Sequence, residues 1–273
     1  RRSDVAMGKL EPDTAAQDYA WGKLQNRQVK EKGYVPRGSD LGRGFDLAEM
    51  LELGMGPGLT SSFVEPAAEE QRLTVLCEGK HYNLTDSNGK VLLTAKPFES
   101  GFDLFLPSSE APTFLLRSNQ RLESWLLTSV RCEHCEARGA RQCGTRELCR
   151  MSHYTELVGD GNAFCMDVEI PELREDGQSH AVCSVCGKDD VGGCILSTRR
   201  PKWNSRQKTL TLDFRGRCSM ASAKNFQLEA ENDSTKVVLL FGKVGANKFV
   251  LDYGNPLGTV QAFAAALTAT HWK

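Results

Sequence analysis

The C-terminal stretch 255–273, NPLGTVQAFAAALTATHWK, decides the fold. Its residues 257–270 carry no charge, and Val260, Phe263 and Leu267 recur at helical spacing while alanines fill the other faces. A helix that is apolar all round must be buried all round. At about 1.5 Å per residue it spans roughly 21 Å, too short to cross a bilayer. We therefore predict a plug helix enclosed by protein and centred on Val260, Phe263 and Leu267.

The start of this helix carries two local signals. Asn255 is a favourable N-cap residue. Pro256 suits the first turn, where its missing N–H group would have no partner in any case. The sequence thus predicts that the helix begins at Asn255.

Four strand-like runs precede the helix. Runs 237–242 and 248–253 are rich in Val, Leu and Phe and flank a turn at 245–247, while 208–214 alternates and 224–229 is shorter. Short antiparallel strands around one apolar helix indicate a closed barrel with a helical plug.

Seven sequence blocks between residues 201 and 271 occur in a distinctive order. They are PKWN (201–204), LDFRGR (212–217), ASAKNFQ (221–227), END (231–233), FGKV (241–244), DY to PL (252–257) and QAFA (261–264). This pattern resembles the C-terminal part of the tubby family. The resemblance implies a mostly β fold, an antiparallel tubby-like barrel of about twelve strands around the C-terminal helix. It also implies a family that binds phosphoinositide head groups at membranes.

Residues 72–130 are similar to the same family through fewer positions. Strand-like runs follow one another at short intervals here, and Asn88-Gly89 is a strong hairpin signal. The runs are 73–77, 82–85, 90–95, 102–106, 113–117 and 123–130. The matching residues are the 86–93 hairpin and LRSN at 116–119. A meander of hairpins fits the first half of the barrel.

Arg117, within LRSN, is the residue that the resemblance assigns to phosphoinositide binding. A guanidinium donates two parallel hydrogen bonds to phosphate oxygens. The alternative is an arginine that pairs with a carboxylate on the barrel wall. The family's dense basic cluster is missing from 95–101, where Lys96 is the one cation and Glu99 has the opposite charge. Lys96 is the second candidate head-group contact, and a lost cluster weakens electrostatic attraction to an anionic bilayer.

Eight cysteines lie in a region that has no counterpart in the tubby pattern, at about 131–195. A two-residue gap lets two thiolates face one tetrahedral metal, so a structural zinc is predicted here. Disulfides and unpaired thiols are the alternatives. The predicted ligands are Cys132, Cys135, Cys183 and Cys186, with Cys143, Cys149, Cys165 and Cys194 as a second site or as alternates.

Composition limits the function. The chain has 273 residues, is 40% apolar and has a net charge of −1, which argues against a nucleic-acid-binding protein. No HExxH, nucleophile elbow or phosphate-cradling glycine loop occurs, so we expect no enzyme activity. We expect a cytoplasmic or peripheral-membrane location, or an organelle if a targeting peptide was removed before Arg1.

The predicted organisation is an extended arm at 1–70 followed by the barrel at 71–273. A capping box predicts one short helix in the arm, near 47–53. Two functions remain open. The first is a non-enzymatic adaptor that recognises phosphoinositide or other anionic membrane ligands. The second is a scaffold subunit that has lost lipid binding and contacts protein partners through the arm and the Cys-rich insertion.

Overall fold

The computed structural model describes residues 4–7, 62–107, 109–130, 146–171, 182–183, 193–230 and 233–272. In chain order the strands are β1 (Asp4–Met7), β2 (Gln71–Glu78), β3 (His81–Thr85), β4 (Val91–Phe98), β5 (Gly101–Phe105), β6 (Phe114–Ser118), β7 (Ser124–Ser129), β8 (Arg146–Val158), β9 (Gly161–Pro171), β10 (Val182–Cys183), β11 (Gly193–Thr198), β12 (Lys202–Asn204), β13 (Thr209–Asp213), β14 (Phe226–Ala230), β15 (Asp233–Gly245) and β16 (Lys248–Tyr253). The helix α1 is Thr259–Ala269.

Twelve of these strands form a closed antiparallel barrel. Strands β2 to β9 follow one another around the ring, which continues through β11, β14, β15 and β16 and returns to β2. The β8–β9 pairing closes the ring. This architecture confirms the predicted tubby-like barrel. Two smaller parts lie outside the ring: β10 pairs with β8, and β1, β13 and β12 form a three-stranded sheet.

Helix α1 is buried along its whole length inside the barrel. Val260, Phe263 and Leu267 are each 0% exposed, as the plug prediction requires. They join one large core that includes the inward residues of most barrel strands. No helix in the described part of the chain is long and apolar enough to cross a membrane.

The helix begins later than the sequence predicts. Its N-cap is Gly258, not Asn255, and the Gly258 N–H donates to Oε1 of Gln261 at 2.8 Å. Two chain segments approach each other closely at this N-cap. A Cβ atom built on Gly258 would lie 2.4 Å from the carbonyl oxygen of Val64, so only glycine fits.

The end of the predicted arm packs against the barrel core. Phe63 and Val64, in a helical turn at 62–64, are 0% and 4% exposed. Ala67 N–H donates to the carbonyl of Leu257 at 3.0 Å, which ties this segment to the approach of α1. The helix predicted near 47–53 lies outside the described residues.

Two barrel strands lie inside the region predicted as a Cys-rich insertion. Strand β8 pairs with β7, and β9 pairs with both β8 and β11, so 146–171 belongs to the barrel. The inward residues Met151, Met166 and Val168 alternate along these strands and are buried.

Candidate functional site

Arg117 lies on the outer face of the barrel. In β6 the inward side chains are Phe114, Leu116 and Ser118, so Arg117 points outward between them. The neighbouring strand β5 presents Asp103 on the same outer face, since its inward residues flank it in sequence.

Four groups surround the Arg117 guanidinium. Its Nη1 donates to the carbonyl oxygens of Phe102 at 2.7 Å and Leu116 at 3.1 Å. Its Nη2 donates to the Asp103 carboxylate, and the guanidinium lies 4.8 Å from the centre of the Phe98 ring. The side chains of Arg117 and Asp103 are only 13% and 18% exposed. The barrel wall therefore holds Arg117 in an ion pair with a carboxylate. This is the alternative to phosphate binding that the sequence left open.

Lys96 lies on the other side of the same carboxylate. Strand register places Lys96 directly opposite Asp103, and both point outward. The Lys96 Nζ lies 4.5 Å from the centre of the Phe105 ring. The two cations named by the sequence are thus brought together, with Asp103 between them.

The β4–β5 turn completes this outer-face cluster, which we define as Lys96, Phe98, Glu99, Asp103 and Arg117. Phe98 is 44% exposed, and Glu99 adopts a φ of 48° in the turn. Two cations and two carboxylates give the cluster no net charge. It therefore lacks the positive potential that attracts an anionic membrane.

The sequence did not single out Asp103 or Phe98 as members of the site. Asp103 is recognisable from the alternation of β5, where Phe102 and Leu104 are buried and the residue between them must face outward. Only the register of β4, β5 and β6 shows that this carboxylate lies between Lys96 and Arg117.

The predicted zinc ligands fall mostly outside the described residues. Cys132, Cys135, Cys143 and Cys186 are not described, and Cys183 is placed through its backbone pairing with Arg146. The other three cysteines lie in barrel strands. Among the described residues, no group of three or more Cys, His, Asp or Glu side chains could hold a metal ion.

Of the three candidate ligands that lie in barrel strands, two are buried. Cys149 belongs to the barrel core, and Cys165 packs with Leu210 in a separate small cluster. Burial raises the pKa of the Cys149 thiol strongly and that of Cys165 to about 11. Because metals bind the thiolate, these surroundings disfavour both residues as ligands.

Comparison with known proteins identifies the family. Residues 135–271, just over half of the chain, match the sequence model of the Tub family. The chain belongs to the Tub family. The matched range covers α1 and the strands from β8 onward, whereas Arg117 and Lys96 precede it.

Similar proteins carry tubby names. The chain is 45% identical to human Tubby-related protein 3 over 134 residues, which are 45% of this chain and 30% of that protein. It is 39% identical to Caenorhabditis elegans Tubby protein homolog 1 over 79 residues, 29% and 18% of the two chains. It is 42% identical to Arabidopsis thaliana Tubby-like F-box protein 9 over 81 residues, 28% and 21%. The matches thus span less than a third of these relatives.

A solved structure aligns more loosely. The X-ray structure of a protein from Arabidopsis thaliana covers 77% of this Tub-family chain and 94% of its own, with 14% identity and a TM-score of 0.33. The fold assignment rests on the closed strand order and on the buried helix.

Proposed function

We propose that this tubby-like chain is a non-enzymatic binding module that acts as a scaffold in a protein assembly and has low affinity for phosphoinositides. The observation that supports this is the Arg117–Asp103 ion pair. Asp103 occupies the position at which a head-group phosphate would bind the guanidinium. A phosphate would have to displace this carboxylate and approach Glu99 as well.

The electrostatic balance supports the same proposal. Each basic residue near an anionic bilayer contributes about 1 kcal/mol, and the contributions of Lys96 and Arg117 are opposed by Asp103 and Glu99. Partner binding is then assigned to the arm at 1–70 and to the Cys-rich region. Strand β1 of the arm pairs with β13 over four residues, which brings the start of the arm beside the barrel.

Recognition of an anionic membrane ligand is the second candidate. It is favoured by Phe98, whose exposed ring at a hairpin tip suits insertion between lipid head groups. It is also favoured by Nε of Arg117, which is buried and has no hydrogen-bond partner among the described residues. In this case the protein would lie at a membrane surface, whereas the scaffold role fits a cytoplasmic location.

Co-sedimentation with vesicles that contain phosphatidylinositol bisphosphate separates the two candidates. The scaffold proposal predicts that the wild type and Arg117→Ala remain equally in the supernatant. If the wild type sediments and Arg117→Ala does not, the membrane candidate replaces it. Vesicles of phosphatidylcholine alone serve as the control for unspecific binding.

A structural zinc remains part of the proposal. Its ligands would be the two CxxC pairs, Cys132, Cys135, Cys183 and Cys186. Strand register supports a location of the two CxxC motifs near each other. Cys183 lies opposite Arg146, and Arg146 lies opposite Ser129, which precedes Cys132 by three residues. Bound zinc would clamp this edge of the barrel, since four protein ligands leave no open position for catalysis.

Metal analysis tests the zinc site. We expect about one zinc ion per purified chain and a lower unfolding temperature after treatment with a strong chelator. Cys183→Ser should lose the metal, whereas Cys77→Ser, in strand β2, should keep it. Metal-free protein whose melting curve is unchanged by chelator would rule out the clamp.

A further inference from the structure

A half-open cavity of about 580 Å³ lies on the outer face of the barrel, away from the outer-face cluster. Its floor is lined by Arg72, Asp252, Leu240 and Gln227. They are direct cross-strand neighbours on β2, β16, β15 and β14, and their register places all four on the outer face. The floor therefore presents a guanidinium, a carboxylate, an apolar side chain and an amide in one row.

The turn after β13 forms one wall of the cavity and is fixed to its floor at two points. Gln227 Nε2 donates to the carbonyl oxygen of Asp213 at 2.9 Å. Arg217 donates from Nε and Nη2 to the two carboxylate oxygens of Asp252, each at 2.6 Å. These contacts fasten the turn to the floor of the cavity.

One polar atom at the cavity lacks a partner. Gln227 is 1% exposed, and its Oε1 is buried and accepts no hydrogen bond from any described residue. A buried acceptor is unfavourable unless a donor reaches it. Because Nε2 is committed to Asp213, Oε1 is the atom of this amide that a ligand's hydroxyl or N–H group would satisfy.

The cavity also has cations in excess. Arg217 pairs with Asp252 and Arg72 with Glu70. Two further cations that line it, Arg215 and Lys236, are exposed and form no salt bridge within the described part of the chain. Glu69 is the remaining acidic residue of the lining, so four cations face three carboxylates there. Asp233, which interacts electrostatically with Lys236, lies outside the lining.

The backbone of the turn presents one of these cations. Arg215 has a φ of 49° and Gly216 a φ of 77°, and Arg215 N–H donates to Asp213 Oδ1 at 2.8 Å. A left-handed conformation is uncommon for arginine and persists only where its surroundings impose it. Here it orients Arg215 within the wall of the cavity.

We propose that this cavity binds a small phosphate ester that carries a free hydroxyl group. The phosphate lies between Arg215 and Lys236, whose two charges match those of a phosphate monoester at neutral pH. The hydroxyl group donates to Oε1 of Gln227. Sugar phosphates and the glycerol or inositol head groups of lipids share this chemistry. The site is independent of Arg117, so its failure would leave the scaffold proposal untouched.

The test observes the Gln227 side-chain amide by NMR while glycerol 3-phosphate is titrated into the intact chain. We expect a saturable shift of this resonance. The variant Arg215→Asn/Lys236→Gln should bind about tenfold more weakly, because two charge contacts are lost while asparagine tolerates the positive φ. The matched control Lys80→Gln/Arg121→Gln removes two exposed cations elsewhere and should bind within about twofold of the wild type.

A second arm identifies the source of the phosphate by co-sedimenting the same three proteins with phosphatidylinositol vesicles. Binding of vesicles that is lost in the cavity variant but kept in the control assigns the site to a lipid head group. Because Arg117 is intact in all three proteins, that outcome would also replace the low lipid affinity of the proposed function by binding at this cavity. Binding of glycerol 3-phosphate alone assigns it to a free ester. A wild type that responds to neither probe would overturn the proposal, as would equal weakening in the cavity variant and the control.

Discussion

Asp103 and Arg117 form an ion pair across β5 and β6 on the outer face of the barrel, with both side chains largely excluded from solvent. The arginine also donates to two backbone carbonyls of the same strands. Such a pair is costly to break because either partner alone would leave a buried charge. Arg117 thus stabilises the wall of this tubby-like barrel, and the proposed low affinity for phosphoinositides rests on this pairing with Asp103.

Burial of α1 gives the first prediction. Phe263→Asp should prevent folding, because the substitution places an unpaired charge at a position that is 0% exposed; a cost above about 4 kcal/mol is expected. Urea unfolding followed by tryptophan fluorescence measures the effect. Leu157→Asp, at a site that is 75% exposed, is the matched control and should change stability by less than about 0.5 kcal/mol. A folded Phe263→Asp protein with the wild-type urea midpoint would refute the enclosed plug.

Gly258 gives a second prediction through its contact with the segment before β2. Gly258→Ala should destabilise the protein by about 2 kcal/mol, because the new Cβ would lie 2.4 Å from the Val64 carbonyl oxygen. Gly254→Ala is the control, since a Cβ there has no atom within 4 Å. Thermal unfolding of both variants checks the difference. Equal melting temperatures would show that the 62–70 segment does not press on the helix start.

His153 gives a prediction about acid stability. It lies beside Trp125 and Trp272, and burial, together with the nearby His271, lowers its pKa to about 4. An unfolded histidine binds its proton near pH 6.5. Between about pH 6.5 and 4 the unfolded chain therefore binds more protons than the folded one, and stability must fall as the pH is lowered through this window.

The variant His153→Phe tests this pH dependence. Phenylalanine keeps an aromatic ring and removes the buried Nε2, which has no hydrogen-bond partner among the described residues. Its free energy of unfolding should decline less steeply between pH 6.5 and 4 than that of the wild type. Leu157→Phe, at an exposed position of β8, adds a ring without removing a titratable group and should keep the wild-type slope. Parallel slopes for the wild type and His153→Phe would contradict the lowered pKa of His153.

The fold could be predicted from sequence wherever burial follows a simple period. Strand β16 at 248–253 coincides with its predicted range, and the plug residues Val260, Phe263 and Leu267 are all enclosed. The close contact at the start of α1 was not predictable, because it involves Val64, almost 200 residues earlier in the chain. Strand β8 was not predictable because its charged and polar outer residues interrupt the apolar pattern.

The two cations of the candidate site were predictable from the sequence, but Asp103 and Phe98, which set their surroundings, were not. Lys96 and Arg117 were named from the sequence, and the structure places both on one face. The charge balance around these two cations depends on Asp103. The register between three strands sets the position of Asp103 relative to them. Register is set by the whole meander of strands and cannot be predicted from any short motif.

The most direct test of the effect of Asp103 on Arg117 is vesicle binding by Asp103→Asn. Removing this carboxylate's charge frees Arg117 and adds one positive charge, so affinity for phosphatidylinositol bisphosphate vesicles should rise about fivefold above the wild type. Asp160→Asn makes the same charge change in the exposed β8–β9 turn and should have no such effect. If Asp103→Asn binds no better than the wild type, or if the wild type already binds strongly, the claim that Asp103 neutralises the arginine site is contradicted.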